Sequence, residues 1–175
     1  MIKNLLNFQS TMFEIRDILL HDEIIRKLLY FDTKDAYTKT EIPSIEDLLT
    51  DDTGKDLNYI TLFPIMEKGV KEYGRNTYIQ ITLPLTDLDV SSGNNNIFAG
   101  VLVTCITDRD HYMLNDNKLR LIEIANRALQ LLDGTKCSAA GKLEVINMQE
   151  VIFDTEVYGY TLKVVTTDMG KGVDF

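Results

Sequence analysis

The residues in this chain whose chemistry goes beyond packing are two histidines, two cysteines and a few close-set carboxylates. His111 follows Asp108, Arg109 and Asp110, and the trio Asp108, Asp110 and His111 is the nearest approach to a metal site. Such sites want several His, Cys or carboxylate groups at defined spacing. Turns collect aspartate for backbone reasons, so a solvated turn is the favoured reading. Asp51 with Asp52, and Asp87 with Asp89, read in the same way as solvated loop carboxylates. His21 lies at a helix junction. Cys105 lies inside an apolar run and reads as a small core residue, and Cys137 reads as a loop thiol. Two cysteines are too few for a disulfide framework and point to a reducing compartment. No Cys-x-x-Cys pair, no Gly-x-Ser-x-Gly turn, no phosphate loop and no dinucleotide fingerprint occurs. The run Gly134-Thr135-Lys136 follows a helix and reads as its stop. Tyr158, Tyr160 and Phe153 offer faces on which bases could stack. Lys163 is the one basic residue beside them, which favours sheet packing. No catalytic residue, metal or cofactor is expected, and the chain is not expected to be an enzyme.

The elements that would position these residues follow from periodicity. Asp116 to Leu132 reads as an amphipathic helix, because Leu121, Ile122, Ala125, Ala128, Leu129 and Leu132 recur at three- and four-residue spacing. Asn115 or Asp116 is the expected cap and Gly134 the stop. Arg120, Glu123, Arg127 and Gln130 are expected largely on the opposite side. Phe8 to Phe31 gives two helical stripes with a break near His21 and Asp22, and one bent helix is the alternative. Asp22 is a candidate cap for the second stripe. Lys34 to Tyr59 is a connector, with a short helix at Ser44–Leu49 capped by Ser44. Pro64 makes Tyr59 to Met66 an extended segment at a sheet edge. Lys68 to Arg75 reads as a loop or a single helical turn.

The sheet is expected to begin near Thr77, where Ile79, Ile81 and Leu83 alternate with polar residues. Asp87 to Asn96 is a polar, turn-rich loop. Ile97 to Thr107 is apolar on both faces and belongs centrally. Gly141 to Phe153 and Glu156 to Thr167 are separated by Asp154 and Thr155, which predicts a tight hairpin. Asn147 among apolar neighbours predicts a bulge. The tail, Asp168 to Phe175, carries two glycines and is expected to be loose. This order gives one α+β domain. An antiparallel sheet of about four strands carries a helix on one face, with an N-terminal helical region. Its divisions are helices over 1–33, a connector over 34–76, a sheet-helix-hairpin core over 77–167 and a tail over 168–175. The candidate core is Ile79, Ile81, Val101, Val103, Ile122, Ala125, Leu129, Leu162 and Val164.

Composition bounds the function. At 175 residues with 45% hydrophobic content, the chain can bury a core. A net charge of −9 with no basic arm argues against gripping nucleic-acid phosphates over a broad surface. No run approaches a membrane span and Met1 to Leu6 lacks a signal-peptide pattern, so a cytosolic site of synthesis is expected.

The pattern from Tyr59 onward resembles the neck and tail-completion proteins of tailed bacteriophages, the tail-terminator type in particular. The residues that carry the resemblance are the FPI-containing segment at Phe63 to Ile65, TYIQITL at Thr77 to Leu83, and IFAGVLVTCIT at Ile97 to Thr107. The helix NKLRLIEIANRALQLLDG, the strand GKLEVINMQEVI and the closing VYGYTLKVVTTD continue it. The resemblance implies a small α+β subunit whose copies close into a ring, usually of six. Such a ring caps the tail tube and joins it to the head connector. The implied partners are further copies of the chain, the tail tube protein and the neck and connector proteins. The implied site is the virion, after assembly in the host cytoplasm. DNA would pass through the ring without sequence-specific binding, and no membrane is involved. A head-to-tail ring needs two different complementary patches per subunit. The candidates are Ser91, Ser92, Gly93, Asn94, Asn95 and Asn96 in the polar loop, with Asp51 and Asp52 in the connector. The alternatives are a head-closure or adaptor protein of the neck, and a ligand-binding or enzymatic α+β domain with a dispersed site.

Overall fold

The alternation of Ile79 and Ile81 with polar residues, and the β-branched run that follows Gly100, make two adjacent strands of a sheet. The computed structural model describes residues 2–50, 59–62, 76–83, 100–138, 140–153 and 155–166, with side chains from residue 9 onward. The strands are β1 (Ile60–Thr61), β2 (Thr77–Thr82), β3 (Gly100–Asp108), β4 (Lys136–Cys137), β5 (Gly141–Ile152) and β6 (Val157–Thr166). They lie in the order β1-β2-β3-β6-β5-β4. All pairs are antiparallel except β1 with β2, which is parallel. The expected four strands are thus the body of the sheet, and a two-residue strand is added at each edge. The register shift between Val145 and Asn147 is the predicted bulge. The hairpin turn is wider than a two-residue loop. The last strand pair is Ile152 with Tyr158, and Phe153 N donates to Val157 O at 3.1 Å.

Cross-strand partners share a face. One face carries Ile79, Ile81, Val101, Val103, Cys105, Leu162 and Val164, all buried. Over it lies helix α4 (Arg120–Leu132), which buries Leu121, Ile124, Ala125, Ala128 and Leu132. Each fully buried Leu or Ile contributes about 1.5–3 kcal/mol, so this face alone outweighs any propensity effect in holding the helix. The helix starts four residues later than its apolar period suggests. Asp116 and Asn117 take positive φ (61° and 56°), which ends any helical run there. No side chain caps α4. Its first amide, Arg120 N, donates to Tyr112 O at 2.9 Å across the turn. Gly134, at φ 82°, stops the helix as expected.

The N-terminal region is two helices, α1 (Ile2–Leu20) and α2 (Glu23–Tyr30), followed by the short α3 (Ile45–Leu49). Asp22 caps α2 by accepting from Ile25 N at 2.9 Å. Ser44 and Asp47 form a reciprocal capping box at α3. Ile15, Leu19, Ile25, Leu28, Leu29 and Leu48 join the sheet-face core. A smaller cluster of Tyr78, Ile106 and Val157, with Phe153, sits on the opposite sheet face. Burial there pushes the Tyr78 phenol up to about 12. No helix among the described residues is long and apolar enough to cross a membrane.

Candidate assembly surface

The groups with most chemistry in the sequence meet where the sheet ends and the helical layer begins. Asp108, at the end of β3, accepts at Oδ1 from His111 N (3.0 Å) and pairs with His111 Nδ1 (2.6 Å). With that proton on Nδ1, His111 Nε2 is the acceptor for Asn76 Nδ2, 3.3 Å away. The same Asn76 amide donates to Asp32 Oδ2 at 2.8 Å. Both imidazole nitrogens are therefore committed to protein partners. Asp110 is exposed and takes no part in this network. Among the described residues no group of three or more His, Cys, Asp or Glu could hold a metal ion. The arrangement fixes one turn against two elements.

Behind this turn lies the residue that sequence periodicity misassigned. Arg120 was expected on the outer side of its helix and is instead fully buried. Its guanidinium donates to four backbone carbonyls: His111 O (2.9 Å), Leu28 O (2.5 Å), Phe31 O (2.7 Å) and Thr33 O (2.8 Å). Leu28 lies in the last turn of α2 and Phe31 is its C-cap, and carbonyls at a helix C-terminus have no partner within the helix. A cation there also complements the helix dipole. Burial pulls the Arg120 pKa below its ordinary value, opposed by the charges of Asp32 and Asp108.

Arg127, seven positions on, holds the other end of α2. Its Nε and Nη2 reach Asp22 Oδ2 at 3.0 and 2.6 Å. Seven residues of α4 rise about 10.5 Å, close to the roughly 12 Å length of an eight-residue helix. Two arginines on one helix thus grip both ends of another. Burial raises the Asp22 pKa, but the Arg127 hydrogen bonds, the Ile25 amide, the Arg127 charge and the Ile24 amide outweigh it. The carboxyl is left below its usual range.

The β5 edge of the sheet, whose hairpin lies at the same end of the strands as Asp108, has the opposite character. Among the described residues, the outer side of β5 is occupied only at its start. β4 pairs with Gly141 and Lys142, Gly134 N donates to Leu143 O, Leu143 N donates to Thr135 O, and Val145 N donates to Asp133 Oδ1. From residue 146 to 152 no described residue pairs with that edge. Three large apolar side chains stand exposed along it: Ile146 (45%), Met148 (39%) and Ile152 (66%). The register sets Met148, Glu150 and Ile152 beside Leu162, Tyr160 and Tyr158, on the face that carries α4. Tyr112 packs on Tyr158 with ring centroids 5.6 Å apart. Its phenol is pushed above its ordinary value by burial first, and then by Tyr160, Glu150 and Tyr158. The hairpin end is therefore a tyrosine, methionine and isoleucine surface around one carboxylate, beside a strand edge that no described residue covers. Natural sheets usually blunt such an edge with charge, proline or cover.

Of the residues singled out in the sequence, Ile79, Ile81, Val101, Val103, Ala125, Leu162 and Val164 are buried, and Ile122 and Leu129 are half-buried. Asp51 and Asp52, and Ser91, Ser92, Gly93, Asn94, Asn95 and Asn96, lie outside the described residues, as do Asp87 and Asp89. Cys137 was expected in a loop and is instead buried in β4, where burial first, then the charge and hydrogen bond of Glu14, push its thiol up to about 11. Phe153 does not share a surface with Tyr158 and Tyr160. It lies over Gly159 on the opposite sheet face, so the three rings form no common stacking platform. The open edge of β5 was missed, although its signal was present: INMQEVI carries one charge in seven residues of an acidic chain.

A family model matches residues 22–166, and the chain belongs to that family, YomW. The name is that of a prophage protein, which makes this a phage-associated protein. No curated protein and no solved structure matches.

Proposed function

We propose that this YomW-family chain is a structural subunit of a phage tail or neck, a tail terminator that closes into a ring through contacts between copies. The observation that carries the reading is the 146–152 edge, which no described residue covers, with its exposed Ile146, Met148 and Ile152. An unprotected apolar strand edge is a template for another chain, and a phage-associated protein that keeps one has a use for it. The role is mechanical and not catalytic. The Asp108–His111 pair has both imidazole nitrogens engaged, and Arg120 and Arg127 are spent on holding α2. The expected partners are further copies of the chain, probed first, and the tail tube and connector proteins on either side. The site of action is the virion. The acidic balance lets DNA pass a ring without sticking to it.

Light scattering on the purified protein over a range of concentrations, followed by imaging of negatively stained particles, tests this. The expected result is a closed ring, alone or on addition of tail tube protein. A chain that stays monomeric at every concentration, with and without tube protein, contradicts the reading.

A further inference from the structure

The residues after β6 carry a pattern that fits the open edge. Met169, Lys171, Val173 and Phe175 alternate with Asp168, Gly170, Gly172 and Asp174. In an extended chain the first set shares one face and the second set the other. β5 presents Met148, Glu150 and Ile152 on one face, apolar on either side of a single carboxylate. No described residue forms an ion pair with Glu150. Setting Lys171 opposite Glu150 in antiparallel register places Met169 opposite Ile152, Val173 opposite Met148 and Phe175 opposite Ile146. The other face then matches Asp174 with Asn147, Gly172 with Gln149 and Gly170 with Val151. Apolar residues meet apolar ones, the cation meets the anion, and no two like charges face each other.

We infer that residues Asp168–Phe175 of one copy add as a strand to the 146–152 edge of β5 in another copy. The inference rests on the reading that copies of the chain associate. Distance requires the second copy. Glu150 pairs with Tyr160, which is six residues, about 20 Å, along β6 from Thr166. The outer side of β5 is two strand spacings from β6, about 10 Å more at right angles. Lys171 would have to stand about 22 Å from Thr166, whereas five residues span at most about 18 Å. The first half of the outer edge, which the chain's own segment would have to pass, is already taken by β4, Thr135 and Asp133. Donor segment and acceptor edge are different surfaces, so each contact leaves one of each free. Such head-to-tail contacts propagate and close by rotation.

Sedimentation velocity on five full-length or truncated chains tests this: wild type, a chain lacking 168–175, Lys171→Glu, Glu150→Lys, and the double reversal. Wild type is expected to assemble and the truncated chain to remain a monomer with an unchanged melting profile. Each single reversal weakens association about tenfold, and the double reversal restores it to within about threefold. Below the concentration at which Glu150→Lys alone associates, its mixture with the truncated chain gives a one-to-one complex, because one supplies an intact edge and the other an intact donor. A truncated chain that assembles like wild type, or a double reversal no better than the single ones, overturns the inference and leaves self-association standing. Wild type that never assembles overturns the self-association reading, and this inference with it.

Discussion

Replacing Arg120 with methionine keeps much of the side chain's apolar stem and removes its charge and donors. Four backbone carbonyls then lose their partner: His111 O, Leu28 O, Phe31 O and Thr33 O. An orphaned buried acceptor costs about 1–3 kcal/mol, which sets an upper figure near 8 kcal/mol for four at the midpoint. Two effects reduce it. The buried guanidinium no longer has to be desolvated, which recovers several kcal/mol. Phe31 is only half-buried and Thr33 is exposed, so water can reach some of the freed carbonyls. A net loss of about 3 kcal/mol remains, a large share of the roughly 5–15 kcal/mol available to a domain. For a chain of this size that corresponds to a fall in Tm of about 6–12 °C. Lysine keeps the charge but not the fork, and its single ammonium cannot serve carbonyls on both α2 and the His111 turn. Arg120→Lys should therefore recover at most half the loss. Thermal and urea unfolding followed by circular dichroism measures both variants. If Arg120→Met melts within about 2 °C of wild type, the view that this guanidinium fastens α2 to the sheet layer is wrong. If Lys substitutes fully, the charge matters and the fork does not.

Asp22→Ala removes both the cap of α2 and the acceptor for Arg127, and should cost about 2–3 kcal/mol at neutral pH by urea unfolding. Because the folded carboxyl lies below its usual range, its contribution is present above the unfolded value of about 3.9 and is lost as pH falls through the lower folded value. The gap between Asp22→Ala and wild type should thus be constant above about pH 5 and close below about pH 4, and a gap that persists in acid would refute the pairing. At Gly159 an added Cβ would lie 2.8 Å from the Phe153 ring and 3.1 Å from Cys105 O, so Gly159→Ala should cost about 1–3 kcal/mol. Combined with Phe153→Ala it should cost less than the sum of the two, since the ring is one of its two obstacles. Val101→Asp places an unpaired charge in the middle of the sheet and should leave no folded protein in a one-dimensional proton spectrum, with a cost above about 4 kcal/mol. Deleting Ser91 to Asn96 should leave the melting profile unchanged while weakening assembly.

Much of the fold was legible because it is written in local patterns. The Ser44 capping box, the Asp22 cap, the bulge before Asn147 and the strand–strand–helix–hairpin order each follow from a few neighbouring residues. What was not legible depends on partners far along the chain. Arg120 reads as a solvent-facing charge because its partners are backbone carbonyls at positions 28, 31 and 33, which leave no side-chain signature. The start of α4 was placed too early because Asn115 and Asp116 look like caps, whereas Asp116 and Asn117 adopt the left-handed turn that aspartate and asparagine tolerate. Cys137 is buried because Lys136 and Cys137 pair with the first residues of β5, a two-residue strand below the reach of periodicity. The open edge escaped notice because alternation says which face of a strand is apolar and nothing about which strand lies outermost.

The central claim is that copies of this chain meet along the distal half of β5, and amide hydrogen exchange read residue by residue tests it most directly. Comparison of dilute with concentrated protein should show slowed exchange within 146–152 as concentration rises, with the amides of β2 and β3 unchanged. Exchange in 146–152 that is the same at every concentration at which larger particles form would place the contact elsewhere and contradict the account.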